Sequence, residues 1–252
     1  MSVVRRAGFT LIELLIAVAV VAVLIAIMLP SIGRVQEQAR RVMCGSNQRQ
    51  VGMGVSMFAD ANQGSIPSTL FVPGAGANKS TAFAAPQDTI MLRLVGDSPD
   101  RSGVKPQWWD GLGLLYSQSY LNAPRIFYCP SHTGEHPFER YEAQWGGEVG
   151  EIAGNFQYRG EGPGGAQKLF AIPPSAALVA DGVRSLSDLN HGDGFNILRA
   201  GLHVEWLKDE GGVVASILSM APSGGSEDAT DSAWQALDGA LPKMGGPRTG
   251  GG

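Results

Sequence analysis

The 252 residues carry a formal net charge of −4 at neutral pH, from 19 Lys and Arg against 23 Asp and Glu. That balance excludes a broad basic surface of the kind that neutralises nucleic-acid phosphates. The 35 glycines and 15 prolines point to a loop-rich domain of short elements, large enough for one modest core and without internal repeats.

Arg5 and Arg6 open the chain, and the run from Phe9 to Leu29 then holds 21 residues with one charge, Glu13. As a helix this run is roughly 32 Å long, enough to cross the hydrocarbon core of a bilayer. A carboxylate inside such a span costs at least about 2.5 kcal/mol at mid-depth, so Glu13 requires a partner or a purpose. A cleaved secretory signal fits poorly, because Glu13 interrupts the apolar run and Leu29-Pro30-Ser31 offers no small-residue cleavage pattern. Arg34, Arg40 and Arg41 follow the span as Arg5 and Arg6 precede it, so charge alone sets no orientation.

Gly8-Phe9-Thr10-Leu11-Ile12-Glu13, behind a short basic leader, resembles the signature of type IV pilins and type II secretion pseudopilins. The resemblance implies cleavage after Gly8 by a prepilin peptidase and methylation of the new amino group on Phe9. Glu13 would pair with the terminal amine of a neighbouring subunit, neutralising its charge only on assembly and setting axial register. Pro30 matches the proline that kinks the family's long helix. The leader would be cytoplasmic and the rest extracytoplasmic, in a single-pass inner-membrane protein that becomes part of a filament. The partners implied are the peptidase, copies of this chain and other pilin-like subunits, an inner-membrane assembly platform and the membrane itself. No nucleic acid is expected.

Beyond Pro30, Ile32, Val35, Ala39, Val42, Ser46, Met53 and Met57 recur near helical spacing, interleaved with charged residues. A helix is expected from about Phe9 to Asp60, stopped by Asn62-Gln63-Gly64 and Pro67, although Gly45, Gly52 and Gly54 weaken it. Residues 68–106 read as a long surface loop with an apolar segment at Ile90–Val95. Trp108-Trp109 and the following Gly111–Tyr116 predict a short helix that carries apolar anchors to the core. Strands are expected at Arg125–Cys129, Ala153–Arg159, Ala176–Ala180, Phe195–Arg199 and His203–Leu207, the last two joined by a hairpin in which Gly201-Leu202 suits a two-residue type II′ turn.

The segment from His191 to Val204 has a resemblance of its own, to a pilin-like group that ends in His, nine residues, then Asp-Gly. Gly201-Leu202 stands where Asp-Gly belongs, which keeps a turn and loses a carboxylate. Cys44-Gly45-Ser46-Asn47 and Phe127-Tyr128-Cys129-Pro130 also resemble segments of that group. These are the only two cysteines, and the compartment the resemblance implies is oxidising. A Cys44–Cys129 disulfide would close 85 residues (129 − 44) and contribute about 4–5 kcal/mol before strain. Two buried thiols are the alternative.

His132-Thr-Gly-Glu135-His136 fits the inverted zinc-peptidase pattern, but that chemistry needs both histidines on one helical face, and Pro130, Gly134 and Pro137 oppose a helix. A solvated loop is expected there instead of a catalytic zinc site or a structural metal site including Cys129. His191 and Asp193 are likewise weighed as cation ligands and read as a turn. No nucleophile elbow, phosphate loop or paired CxxC is present, so no catalytic residue, metal ligand or cofactor is assigned.

The fold class expected is α+β: a long N-terminal transmembrane and spine helix packed on a small antiparallel β-sheet head, pilin-like and loop-rich. The expected divisions are leader 1–8, transmembrane and assembly helix 9–30, amphipathic spine 31–64, head 65–220, and a flexible tail 221–252 in which Ser232–Leu237 forms a docking turn. The resemblance implies a structural pseudopilin or pilin-like subunit, not an enzyme. The rival is a membrane-tethered or filament-tip protein that binds a ligand or surface through residues 68–106 and Trp108-Trp109. An anchored metallohydrolase ranks third.

Overall fold

A computed structural model describes residues 10–72, 85–96, 107–147, 150–222 and 224–239. Its contacts divide into two units, Met1–Ala39 and Arg40–Gly252. One helix, α1 (Leu11–Ala61), contributes to both and continues through Pro30. In the first unit its large apolar side chains from Leu11 to Leu29 are exposed on every side. A helix apolar all round is made for a nonpolar surrounding, and this one is long enough to cross a membrane.

In the second unit α1 changes character. Cys44, Gln48, Val51, Val55 and Phe58, spaced by four and three residues, form a buried stripe. Gln48 Nε2 donates to the carbonyl of Asn196 at 3.0 Å. At Gly52 a Cβ would stand 2.7 Å from Leu198, so the missing side chain lets the sheet approach the helix closely. The helix ends at Asn62–Gly64, where Gln63 and Gly64 both take positive φ.

Two antiparallel sheets follow. The smaller joins β1 (Met91–Val95), β2 (Gln107–Trp109) and β3 (Ile152–Ala153) in the order β2-β1-β3. The larger joins β4 (Phe156–Tyr158), β5 (Ala177–Asp181), β6 (Gly194–Arg199) and β7 (Val204–Lys208) in sequence order. Leu198 of β6 belongs to the core cluster that includes the α1 stripe. Phe195 and Ile197 belong to a second cluster with Val214 of α4 (Val213–Ser219) and Trp234 of α5 (Glu227–Leu237). Helices therefore cover both faces, which is why every residue of β5 and β6 is buried instead of every second one.

The fold is α+β, with a long apolar helix and two small antiparallel sheets, consistent with a pilin-like arrangement. Local expectations change at four places. Arg125–Cys129 is not a strand: Pro124 presets φ for a 3-10 turn over Pro124–Phe127, which buries Ile126 and Phe127. Residues 153–159 split, because Gly154 donates to Ile90 and Asn155 to Phe127, so the chain leaves one sheet at β3 and enters the other at β4. Trp108 and Trp109 lie on β2, ahead of the short helix α2 (Gly113–Ser117). The β6–β7 connection is a three-residue loop, closed by bonds between Arg199 and Leu202 and between Arg199 and His203; the positive φ, +62°, falls on Leu202 and not on Gly201.

Within residues 221–252, expected as a flexible tail, α5 is an ordered helix. Ser226 caps it by accepting from Ala229, and Ala233, Trp234 and Leu237 are buried. Asp238 then holds Arg159 at 2.7 Å and accepts from the Ala177 N–H at 2.7 Å, fixing the helix end to β5. Residues 240–252 lie outside the described residues.

Candidate functional site

At its first turn α1 builds a reciprocal cap. The Thr10 N–H and hydroxyl donate to Glu13 Oε2 at 2.9 and 2.8 Å, and the Glu13 N–H donates to Thr10 Oγ1 at 3.2 Å. This is a capping box, with Thr10 before the helix and Glu13 at its third position. Glu13 thus starts the helix that carries it. Both bonds from Thr10 use Oε2, and a carboxylate has about four lone-pair sites, so the cap is compatible with a further cationic partner. Gly8 and Phe9 lie outside the described residues, and Pro30 lies inside α1.

In the second unit, four ionisable side chains from four separate segments meet in the interior. Cys44 comes from α1, Cys129 from the segment after the 3-10 turn, Asp181 from the end of β5, and His191 from the bend before β6. Their ligand-capable atoms all lie within 4.8 Å of one another. Cys44 Sγ donates to Asp181 Oδ2 at 3.0 Å, His191 Nε2 stands 3.1 Å from the same oxygen, and Cys129 Sγ is 3.3 Å from His191 Nε2. The side chains of Asp181 and His191 are 0 % and 1 % exposed, so the cluster is shut off from solvent.

The surroundings fix these groups in place. The backbone N–H of Asn196 donates to Asp181 Oδ1 at 2.8 Å, which turns Oδ2 toward the sulfur and the imidazole. Asn155 Oδ1 accepts from the Cys129 N–H at 2.6 Å. The His191 ring meets Trp206 edge to face at 5.6 Å, and the Arg41 guanidinium covers that indole at 3.2 Å.

Burial opposes charge on His191, yet its bonds to Asp181 and Cys129 outweigh that effect and push it up to about 11. Burial raises the Cys44 thiol, helped by Cys129 and Asp181. Burial also works against the Cys129 thiolate, but bonds from Cys44 and His191 bring its pKa below the usual value. The arrangement separates acid from base: a protonated thiol on Cys44, with an imidazolium between Asp181 and Cys129.

Cys44 and Cys129, the expected disulfide pair, meet in this structure as buried thiols, each sulfur turned to a polar partner. Cys44, Cys129 and His191 each stand out in the sequence, but their convergence with Asp181 does not. The four positions are scattered from 44 to 191, and only the pairing of β5 with β6 brings the last two together. The signal available in advance was Asp181-Gly182 closing an apolar strand; the structure gives that glycine a positive φ.

His132, Glu135 and His136 do not form a zinc-peptidase site. Residues 131–137 make turns and bends, as Pro130, Gly134 and Pro137 dictate. His132 Nδ1 meets Asn190 Oδ1 at 2.7 Å, while His136 meets the Tyr141 hydroxyl at 2.7 Å and receives Arg184 at 2.9 Å. Burial, then Arg184, Arg140 and His132, lower His136 to about 4. Glu135 faces the Arg184 guanidinium at 3.5 Å. Glu135 and His136 share the Arg184 guanidinium and His132 Nε2 accepts from the His136 N–H at 3.3 Å, so the groups of the pattern are engaged by protein partners.

Trp108 and Trp109 alternate across β2. Trp109 stacks into an aromatic cluster with Tyr116 and Trp145 at centroid distances of 5.3 and 5.8 Å, while Trp108 is 38 % exposed. Arg93, buried beneath, donates to the carbonyls of Gln144, Gly147 and Gly150, a fastening of α3 (Phe138–Trp145) that no sequence pattern announced.

No curated protein and no solved structure matches the chain. The match to a known family ends at residue 29, so the C-terminal resemblance rests on its own residues alone. Residues 4–29 match the family described as the prokaryotic N-terminal methylation motif, which supports the type IV pilin and pseudopilin family and a prepilin-type processed, pilin-like protein.

Proposed function

We propose that the protein is a pilin-like structural subunit. A prepilin peptidase cuts between Gly8 and Phe9 and the new amine is methylated. Residues 9–30 then hold the subunit in the inner membrane and later pack in the filament core, residues 31–64 form the spine, and the head begins at residue 65. The subunit assembles with copies of itself and other pilin-like subunits, on an inner-membrane platform, into a type II secretion or type IV pilus-like filament. The observation that carries this reading is the methylation motif at residues 4–29, lying on a helix whose apolar side chains are exposed all round. That motif points to a structural subunit and not to an enzyme.

Glu13 is the residue of assembly. Alone in an apolar segment it is costly, and a neighbouring subunit's amine neutralises it, so that burial favours the assembled state. A tethered binding protein that uses the same export route is the second reading, supported by the exposed Trp108 at the edge of the smaller sheet. Intact and N-terminal peptide mass spectrometry on protein from native membranes tests the first. A chain that begins at N-methylated Phe9 is expected. A chain that keeps Met1, or is cut after Leu29, overturns the prepilin reading and puts the tethered binder in its place.

A further inference from the structure

We infer that Cys44, Cys129, Asp181 and His191 form a structural zinc site that fastens α1 to the head. The inference is independent of the prepilin reading, since all four residues lie in the second unit.

The chemistry of the donors is the first argument. Two thiolates, one imidazole and one carboxylate are a zinc-binding set, and four protein ligands with no open position make a structural site, not a catalytic one. The second argument is distance. Donor atoms around a tetrahedral zinc ion stand roughly 3.3–3.8 Å apart. Three of the separations here are already 3.0, 3.1 and 3.3 Å, and none exceeds 4.8 Å, so small rotations of side chains close the shell.

The third argument is that the ligands are already aimed. Asn196 fixes the Asp181 carboxylate at both oxygens, its N–H on Oδ1 at 2.8 Å and its Nδ2 on Oδ2 at 3.2 Å, which leaves Oδ2 a second lone pair, and Trp206 packs against the His191 ring. Such outer contacts orient the donors of metal sites and are costly to remove. Charge is the fourth. Once ligation has displaced the protons, two thiolates and a carboxylate carry three negative charges in a sealed interior, and the divalent cation reduces the sum to one. Arg41, over Trp206 and within the electrostatic reach of Asp181, offsets the remainder. Ligation releases to solvent the protons held on the thiols and imidazole.

The site joins four segments remote in sequence, so metal binding is coupled to folding of the head. The experiment is metal analysis and intact-mass measurement on the full chain, purified in detergent without chelator. One zinc per chain with both thiols reduced is expected, and exchange into cobalt(II) is expected to give a thiolate-to-metal charge-transfer band and tetrahedral d–d bands. Cys44→Ser and the near-isosteric Asp181→Asn are each expected to cut zinc retention tenfold or more, and a chelator to lower the melting temperature of the wild-type chain. A metal-free chain two hydrogens lighter than its reduced mass identifies the disulfide and overturns the site. A metal-free chain with two reduced thiols that takes up neither zinc nor cobalt(II) overturns it equally, and neither result depends on the folding of a variant.

Discussion

Glu13 makes the observed cap and carries the assembly role proposed above, and one substitution can separate the two. Its carboxylate completes the capping box with Thr10, and glutamine serves that box almost as well as glutamate. Glu13→Gln therefore keeps the helix start and removes only the charge. Processing to Phe9 is expected to continue in the variant, while its recovery in a sheared filament fraction falls at least tenfold against wild type. The comparison is made by immunoblot of filament and membrane fractions. A variant that assembles as well as the wild type would assign Glu13 to the cap alone. Glu13 was legible as the candidate for assembly because it stands in a short linear motif. The cap was legible only in its residue types, and the cluster around Asp181 was not legible at all, because sequence spacing does not report what strand pairing brings together.

Among the elements, α1 was the easiest to read, since its apolar run and the helical period after Pro30 extend over many turns. Short elements were harder. Phe127 and Tyr128 look like strand residues, but Pro124 starts a 3-10 turn and the apolar side chains are buried from there. The β6–β7 loop shows why a glycine misleads. Gly201 predicted the turn type, yet the loop takes three residues and requires its left-handed conformation at Leu202. The C-terminal resemblance would put glycine at that position, so the departure from it falls on the strained residue. Gly113 marks a different constraint, the approach of α2 to β1. A Cβ there would overlap the carbonyl of Leu92, an atom that cannot move without disturbing the strand. Gly113→Ala is expected to destabilise the chain by about 1–3 kcal/mol, read as a lower midpoint in urea with an unchanged slope. An unchanged midpoint would mean that α2 is not held where it packs.

At the scale of the molecule, two units share one helix. A chain beginning at Ser31 loses the apolar run and keeps the stripe from Cys44 to Phe58. It is expected to be monodisperse without detergent and to melt cooperatively. A chain beginning at Gln63 lacks Cys44, Val51, Val55 and Phe58; loss of a buried Phe alone costs about 3–5 kcal/mol, against a total stability of about 5–15 kcal/mol. It is expected to show no cooperative melt, and size-exclusion chromatography with thermal circular dichroism distinguishes the two. A cooperative melt from the shorter chain would show that the spine is not part of the head's core.

The larger sheet has one further consequence. Among the described residues its last strand, β7, pairs with β6 on one side only, and an open strand edge is a template for zippering between chains. Glu205 and Lys208 are exposed on that strand, with Glu205 tied to Arg199. In the filament proposed above, subunits would meet at high local density, where any sticky edge would fuse neighbours irreversibly. The charged border of β7 guards against that fusion and leaves association to surfaces that can let go.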